Sequence, residues 1–254
     1  MERVVVGCVQ MQMRLPQTLD ELAENLERFM RTAEAKRARL VVFPQLAGLM
    51  AAAPITKGAR TGLLKTADLA RRSNTSFWTR TRARLAGTLV AGMLKADFGQ
   101  ALEQTLLQRP DDLWQSYVQV FSDLALRHTV TLVAGTTYLV DPADGAVRHL
   151  SLVFGPDGEL LGQQAAVTLA ASELGFVEPG APWQVIPTPA GRLGIFIGND
   201  MLYPEAGRLL AYAGAEIFVG LGAATSPRTY QRQRHGLLAR VEENQLYGVM
   251  SFAV

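Results

Sequence analysis

Short aliphatic runs, separated by stretches of helical spacing, constrain this chain more than anything else in it. Residues 4–9, 40–43, 130–138, 151–154, 193–197 and 216–221 are rich in Val, Leu, Ile and Phe and too short for core helices. They read as buried strands. Between them, residues 18–37 place Leu19, Leu22, Leu26, Phe29, Met30 and Ala33 on one helical face, with Asp20, Glu21 and Glu24 where the helix dipole favours acids. Helical patterns recur at 113–127, 205–213 and 230–247. Pro156-Asp157-Gly158 between two strand-like runs predicts a hairpin. Strands alternating with helices argue for an α/β layered fold, and the hairpin makes the sheet mixed.

Residues 49–110 break that rhythm. They carry helix signal and little strand signal, and read as a helical insertion on one domain spanning 1–254, with Asp97-Phe98-Gly99 as a break between two helices. Arg71, Arg72, Arg80, Arg82 and Arg84 fall in this insertion with no acid between 69 and 96. Leu85, Leu89, Met93 and Leu94 follow at helical spacing. A basic amphipathic helix of this kind suits an acidic partner or an anionic membrane surface, against the plainer reading of a solvated arginine face.

Composition narrows the function. The net charge of +2 is too small to point to nucleic acid, and no nucleic-acid motif accompanies the arginines. The single cysteine, Cys8, makes neither an internal disulfide nor a cysteine-rich zinc site. His128, His149 and His235 show no metal-ligand spacing. No metal or cofactor is expected. The N-terminal run reads as a first strand rather than a signal peptide, no stretch reaches the length of a membrane span, and a cytoplasmic protein, membrane-associated at most, is the expectation.

Four segments then line up in order. LVVFPQLAG (40–48), GELLGQQAAVTL (158–169), GIFIGNDMLYPE (194–205) and LLARVEENQLYGVM (237–250) resemble the nitrilase, or carbon–nitrogen hydrolase, superfamily. The resemblance implies a four-layer α-β-β-α sandwich that pairs through its sheet-flanking helices. It also implies hydrolysis or transfer at amide or nitrile carbon. A thiolate would attack, a glutamate would move the proton, and a lysine would steady the developing charge.

The residues that should do this are missing. The family sets its Glu after Phe-Pro, where this chain has Gln45. Its Lys stands three before a Leu, where Ala166 precedes Leu169. Its Cys stands in Gly-x-x-x-Cys-x-Asp, where Gly198 lies between Gly194 and Asp200. A shifted alignment restores neither the Lys nor the Cys, while Phe43-Pro44 anchors the placement of Gln45. The lysines are Lys36, Lys57, Lys65 and Lys95, and Cys8 lies far from the Gly198 turn in sequence.

The expectation is therefore a nitrilase-like protein that is catalytically inactive and works as a binding or structural subunit. It would form a homo- or hetero-oligomer, with an active relative as one partner. The alternatives are a C–N hydrolase with rewired residues such as Glu173, and a small-molecule sensor using the vacated pocket. Glu173, Asn199 and Asp200 are the remaining pocket residues. Glu173 stands where many relatives carry a second pocket glutamate. Asp200 and Glu205 match acids that mostly hold the turn and the helix after it. Arg240 to Asn244 reads as a polar knot, and Thr225 and Ser226 as turn caps. Relatives usually continue past the last strand with a closing hairpin, so strands from elsewhere are expected to cover that edge.

Overall fold

The computed structural model describes residues 3–56, 96–142, 144–224 and 226–253. In chain order the elements are β1 (Val6–Cys8), α1 (Leu19–Ala35), β2 (Leu40–Val42), a 3-10 turn (Ala47–Ala52), α2 (Ala96–Gln108), α3 (Pro110–His128), β3 (Thr131–Val133), β4 (Thr137–Val140), β5 (Val147–Phe154), β6 (Leu160–Ala165), β7 (Val185–Thr188), β8 (Gly191–Ile197), a second 3-10 turn (Gly198–Leu202), α4 (Pro204–Tyr212), β9 (Ile217–Ala223), α5 (Pro227–Asn244) and β10 (Tyr247–Ala253). The basic insertion with Arg71, Arg72, Arg80, Arg82 and Arg84 lies outside the described residues, as does Thr225.

The strands form two sheets. One runs β1-β2-β3-β5-β4, with β6 on the far edge of β5, and the other runs β10-β9-β8-β7. Strand alternation assigns each side chain to a layer. Leu40, Val42, Val133 and Val153 of the first sheet meet Ile195, Ile197, Val219 and Leu221 of the second in one apolar layer. The intervening Val41 faces Leu26, Met30 and Phe121 of the helices outside the first sheet. Phe196 and Phe218 face Leu210 and Leu237 outside the second. Helices, two sheets and helices thus stack as the expected α-β-β-α sandwich. Thr18 starts α1, its hydroxyl accepting from the Glu21 amide at 3.1 Å.

The element readings change in detail. The run at 130–138 is two strands, because residues 134–136 oppose only residues 151–152 of β5. The extra residue is a bulge, which breaks the strand and turns Thr136 aside. Asp97, Phe98 and Gly99 are helical, within the first four residues of α2, and the residues immediately before Ala96 lie outside the described residues. β7 had no signal of its own, since its Val-Ile-Pro-Thr run is short and contains proline, but it pairs antiparallel to β8 from the sheet edge.

The bulge matters because the chain after β2 packs onto it. A Cβ at Gly135 would lie 2.3 Å from the Pro44 carbonyl oxygen and the Ala47 Cβ. One at Gly48 would lie 2.4 Å from the Tyr117 ring. Tyr117, fully buried, donates its hydroxyl to the Gly135 carbonyl at 2.7 Å. Two glycines thus let the 44–49 corner seat against β3–β4. Gly135→Ala is expected to lower stability by about 1–3 kcal/mol, with failure to fold as the extreme. Gly7→Ala, whose Cβ would make only a 3.4 Å contact, is expected to stay within about 0.5 kcal/mol of wild type. Urea unfolding of both variants checks the pair, and equal losses would contradict this packing account.

Candidate functional site

The candidate site lies where the corner after β2 meets the turn after β8. Gln45 is 5% exposed, and its Oε1 has no hydrogen-bond partner among the described residues. Gly198 begins the turn at φ +56, in the left-handed region that glycine adopts without penalty. A Cβ at Gly198 would stand 3.2 Å from Gln45 Nε2 and 3.4 Å from Oε1. Gln45 and Gly198 therefore face each other across this corner. Ala166, buried, follows β6, and its amide bonds the His149 carbonyl at 2.8 Å.

Asp200 organises the turn. Its Oδ1 accepts from the Thr168 amide at 2.7 Å and the Val167 amide at 3.3 Å, and its Oδ2 accepts from the Ile197 amide at 3.2 Å. It joins the segment bearing Ala166 to the turn bearing Gly198. Burial pushes its carboxyl up to about 6, against the pull of the Thr168 and Ile197 amides. Asn199 Nδ2 donates to the Leu169 carbonyl at 3.4 Å. Glu205 is exposed in the first turn of α4.

Glu173 is buried in a network that the sequence did not reveal. Its Oε1 lies 2.6 Å from His149 Nδ1 and accepts the Tyr138 hydroxyl at 3.0 Å, and its Oε2 accepts the Ala170 amide at 2.8 Å. His149 Nε2 lies 2.6 Å from Thr136 Oγ1, which also accepts the Leu46 amide at 2.8 Å. Burial alone would raise the Glu173 carboxyl, but the charge and hydrogen bond of His149 outweigh it and hold it below the usual range. Tyr138 is driven well above its ordinary value by burial and by the neighbouring carboxylate. His149 looked like one of three scattered histidines. The signal that could have found it is its place opposite Tyr138 in the β4–β5 pair.

The remaining residues fall elsewhere. Cys8 lies on β1, lining a groove of about 320 Å³ with Tyr230, Arg234, Leu238 and Met250, and burial raises its thiol. Lys36 is exposed after α1, while Lys57, Lys65 and Lys95 lie outside the described residues. Arg240 is buried and binds Glu243 through Nε and Nη2 at 3.0 and 2.7 Å, and Asn244 donates to the Arg240 carbonyl at 2.8 Å, a structural knot as expected. Ser226 caps α5 by accepting from the Thr229 amide at 3.2 Å. Among the described residues no cluster of three or more His, Cys, Asp or Glu could hold a metal. None of the described helices is long and apolar enough to cross a membrane.

Known proteins share this architecture. The chain is 28% identical over 149 residues to "Probable hydrolase YhcX" of Bacillus subtilis, a match covering 58% of this chain and 29% of that protein. It is 30% identical over 144 residues to omega-amidase NIT3 of Saccharomyces cerevisiae, covering 51% of this chain and 48% of the relative. The chain thus spans half or less of the length of these relatives. The crystal structure of a carbon-nitrogen hydrolase from Helicobacter pylori superposes with a TM-score of 0.66 at 20% identity, over 99% of this chain and 73% of that one. At that identity the likeness concerns the fold. The sequence profile described as carbon-nitrogen hydrolase matches residues 5–254, and the chain belongs to that family.

Proposed function

We propose that this protein is a non-catalytic member of the carbon–nitrogen hydrolase family, acting as a binding or structural subunit. One observation carries the reading: the buried corner where Gln45 faces Gly198 presents an amide and a bare backbone where the chemistry needs a base and a thiol. An amide is no base near neutral pH. The unpaired Cys8, set on another edge, fits the reducing cytoplasm.

A rewired hydrolase receives less support. An acid that activates water needs an available lone pair, and Glu173 and Asp200, both buried, each already accept three hydrogen bonds at their roughly four lone-pair positions. Glu173 gives both oxygens to His149, Tyr138 and Ala170. Asp200 gives both to backbone amides. Each acts as a brace. The subunit role draws support from exposed apolar side chains along α4 and before it, namely Tyr203, Leu209 and Tyr212. An oligomer, with itself or with an active relative, would cover them.

Purified protein is expected to release no ammonia from a panel of amides and nitriles above the buffer rate. Turnover that survives purification from contaminating relatives would refute the reading.

Returning Glu to position 45 alone sets a carboxylate in a buried site with no compensating ammonium at Ala166. Gln45→Glu is expected to cost roughly 3–5 kcal/mol at pH 8. Much of that should return at pH 5, because burial raises the carboxyl pKa and the protonated form carries no charge. An unchanged melting temperature at pH 8 would contradict this.

The brace at Asp200 has its own signature. Its carboxyl rises from an ordinary 3.8 to about 6 in the folded protein. Between those values the native state holds a proton that the unfolded state has lost, so stability falls as pH rises through this window. The fall amounts to roughly 3 kcal/mol at most. Denaturant unfolding at pH 4.5 and 6.5 should show it in wild type and not in Asp200→Asn. Equal pH slopes in the two proteins would count against it.

A further inference from the structure

The segment from Ala166 to Gly180 lies along the first sheet and is fastened at each end. At its start, Val167 and Thr168 donate to Asp200. At its close, Gly180 donates to the Ala166 carbonyl, Glu178 to the Val147 carbonyl, and the Arg148 guanidinium binds the Pro179 carbonyl. Between these ends the Glu173 carboxylate reaches Tyr138 on β4 and His149 on β5. The Phe176 ring meets the Tyr138 ring edge-on at 5.7 Å, and Tyr138 lies 4.7 Å from the His149 ring. The chain of bonds continues from His149 to Thr136 and from Thr136 to the Leu46 amide. Leu46 follows Gln45 and is held at φ +66, a conformation unfavourable for a branched aliphatic residue. One hydrogen-bonded chain thus joins the middle of the 166–180 segment to the corner that carries Gln45.

We propose that Glu173, His149 and Thr136 form a proton-operated latch, which holds residues 170–177 against β4 and β5 while Glu173 is ionised and frees them, together with the Gln45 corner, when it takes up a proton. The chemistry is one-sided. An ionised carboxylate only accepts, and Tyr138, His149 and the Ala170 amide all present donors to it. A protonated carboxyl must donate through one oxygen and no longer carries the charge that strengthens its three bonds. The Ala170 amide can only donate, so either the Tyr138 or His149 bond reverses or the new O–H is left without an acceptor in a buried site, where an unsatisfied group is costly. The titratable groups facing Glu173 are Tyr138 from β4 and His149 from β5. Asp200 and Arg148, with its partners Asp141 and Asp144, act at the two ends of the segment. The latch opens on the acid side, because His149 and the other donors favour the ionised form of Glu173. These are positioning residues, acting on Gln45 through Leu46, and the latch stands whether or not the site is catalytic.

Amide hydrogen exchange of the full chain tests the latch directly. In wild type, protection factors for residues 170–177, corrected for the intrinsic pH dependence of exchange, should hold from pH 7 to the ordinary carboxylate range and fall at least tenfold by about pH 2.5, because the Glu173 carboxyl is held below that range. Those of β8 and β9 should change by less than twofold. Glu173→Gln, which offers one accepting oxygen where three donors converge, should show the same tenfold loss already at pH 7. Where that variant does not fold, Tyr138→Phe removes one donor and should move the wild-type transition to higher pH. Protection of 170–177 that does not depend on pH in wild type would overturn the proposal. So would protection lost only together with that of β8 and β9.

Discussion

Everything at the candidate site depends on how closely the 44–49 corner approaches the break between β3 and β4. That approach is a matter of missing atoms. Gly48 and Gly135 leave room where a methyl group would overlap a ring or a carbonyl, and Tyr117 locks the contact with a buried hydrogen bond. The bulge at 134–136 follows from the same contact, because the strand must step aside where the corner sits. It turns Thr136 toward Leu46 and His149, and so ties the corner to the second half of the sheet. The geometry of the corner is therefore set by backbone packing.

The electrostatics follow the same economy. A buried carboxylate and a buried ammonium tolerate each other, and either alone is costly. With Gln45 and Ala166 at their positions, neither charge is present. The buried acids that remain have found other partners. Glu173 has a histidine, a phenol and an amide, and Asp200 has three backbone amides. At the corner, the amide oxygen of the buried Gln45 has no partner among the described residues. Buried polar groups are rarely left so. A binding function has its most natural foothold there.

Much of this was legible in the sequence. The aliphatic runs gave most of the strands, since buried strands need continuous apolar residues. The order of four motifs carries the family resemblance, and the segments bearing Gln45 and Gly198 approach each other in the fold. The network around Glu173 was not legible. It joins residues 136, 138, 149 and 173 through the pairing of β4 with β5, and no spacing along the chain encodes that register. Nor did the 130–138 run announce its own interruption. A bulge here answers to a glycine contact with a distant corner, which is a tertiary fact.

The central claim is that the Gln45–Gly198 corner holds neither thiol nor amine. A high-resolution crystal structure of the full chain, including residues 57–95, tests it most directly. The account predicts Gln45 facing the bare Gly198 turn, with no sulfur and no lysine nitrogen within hydrogen-bonding reach. Cys8, Lys57, Lys65 or Lys95 folded into that corner beside Gln45 would contradict it.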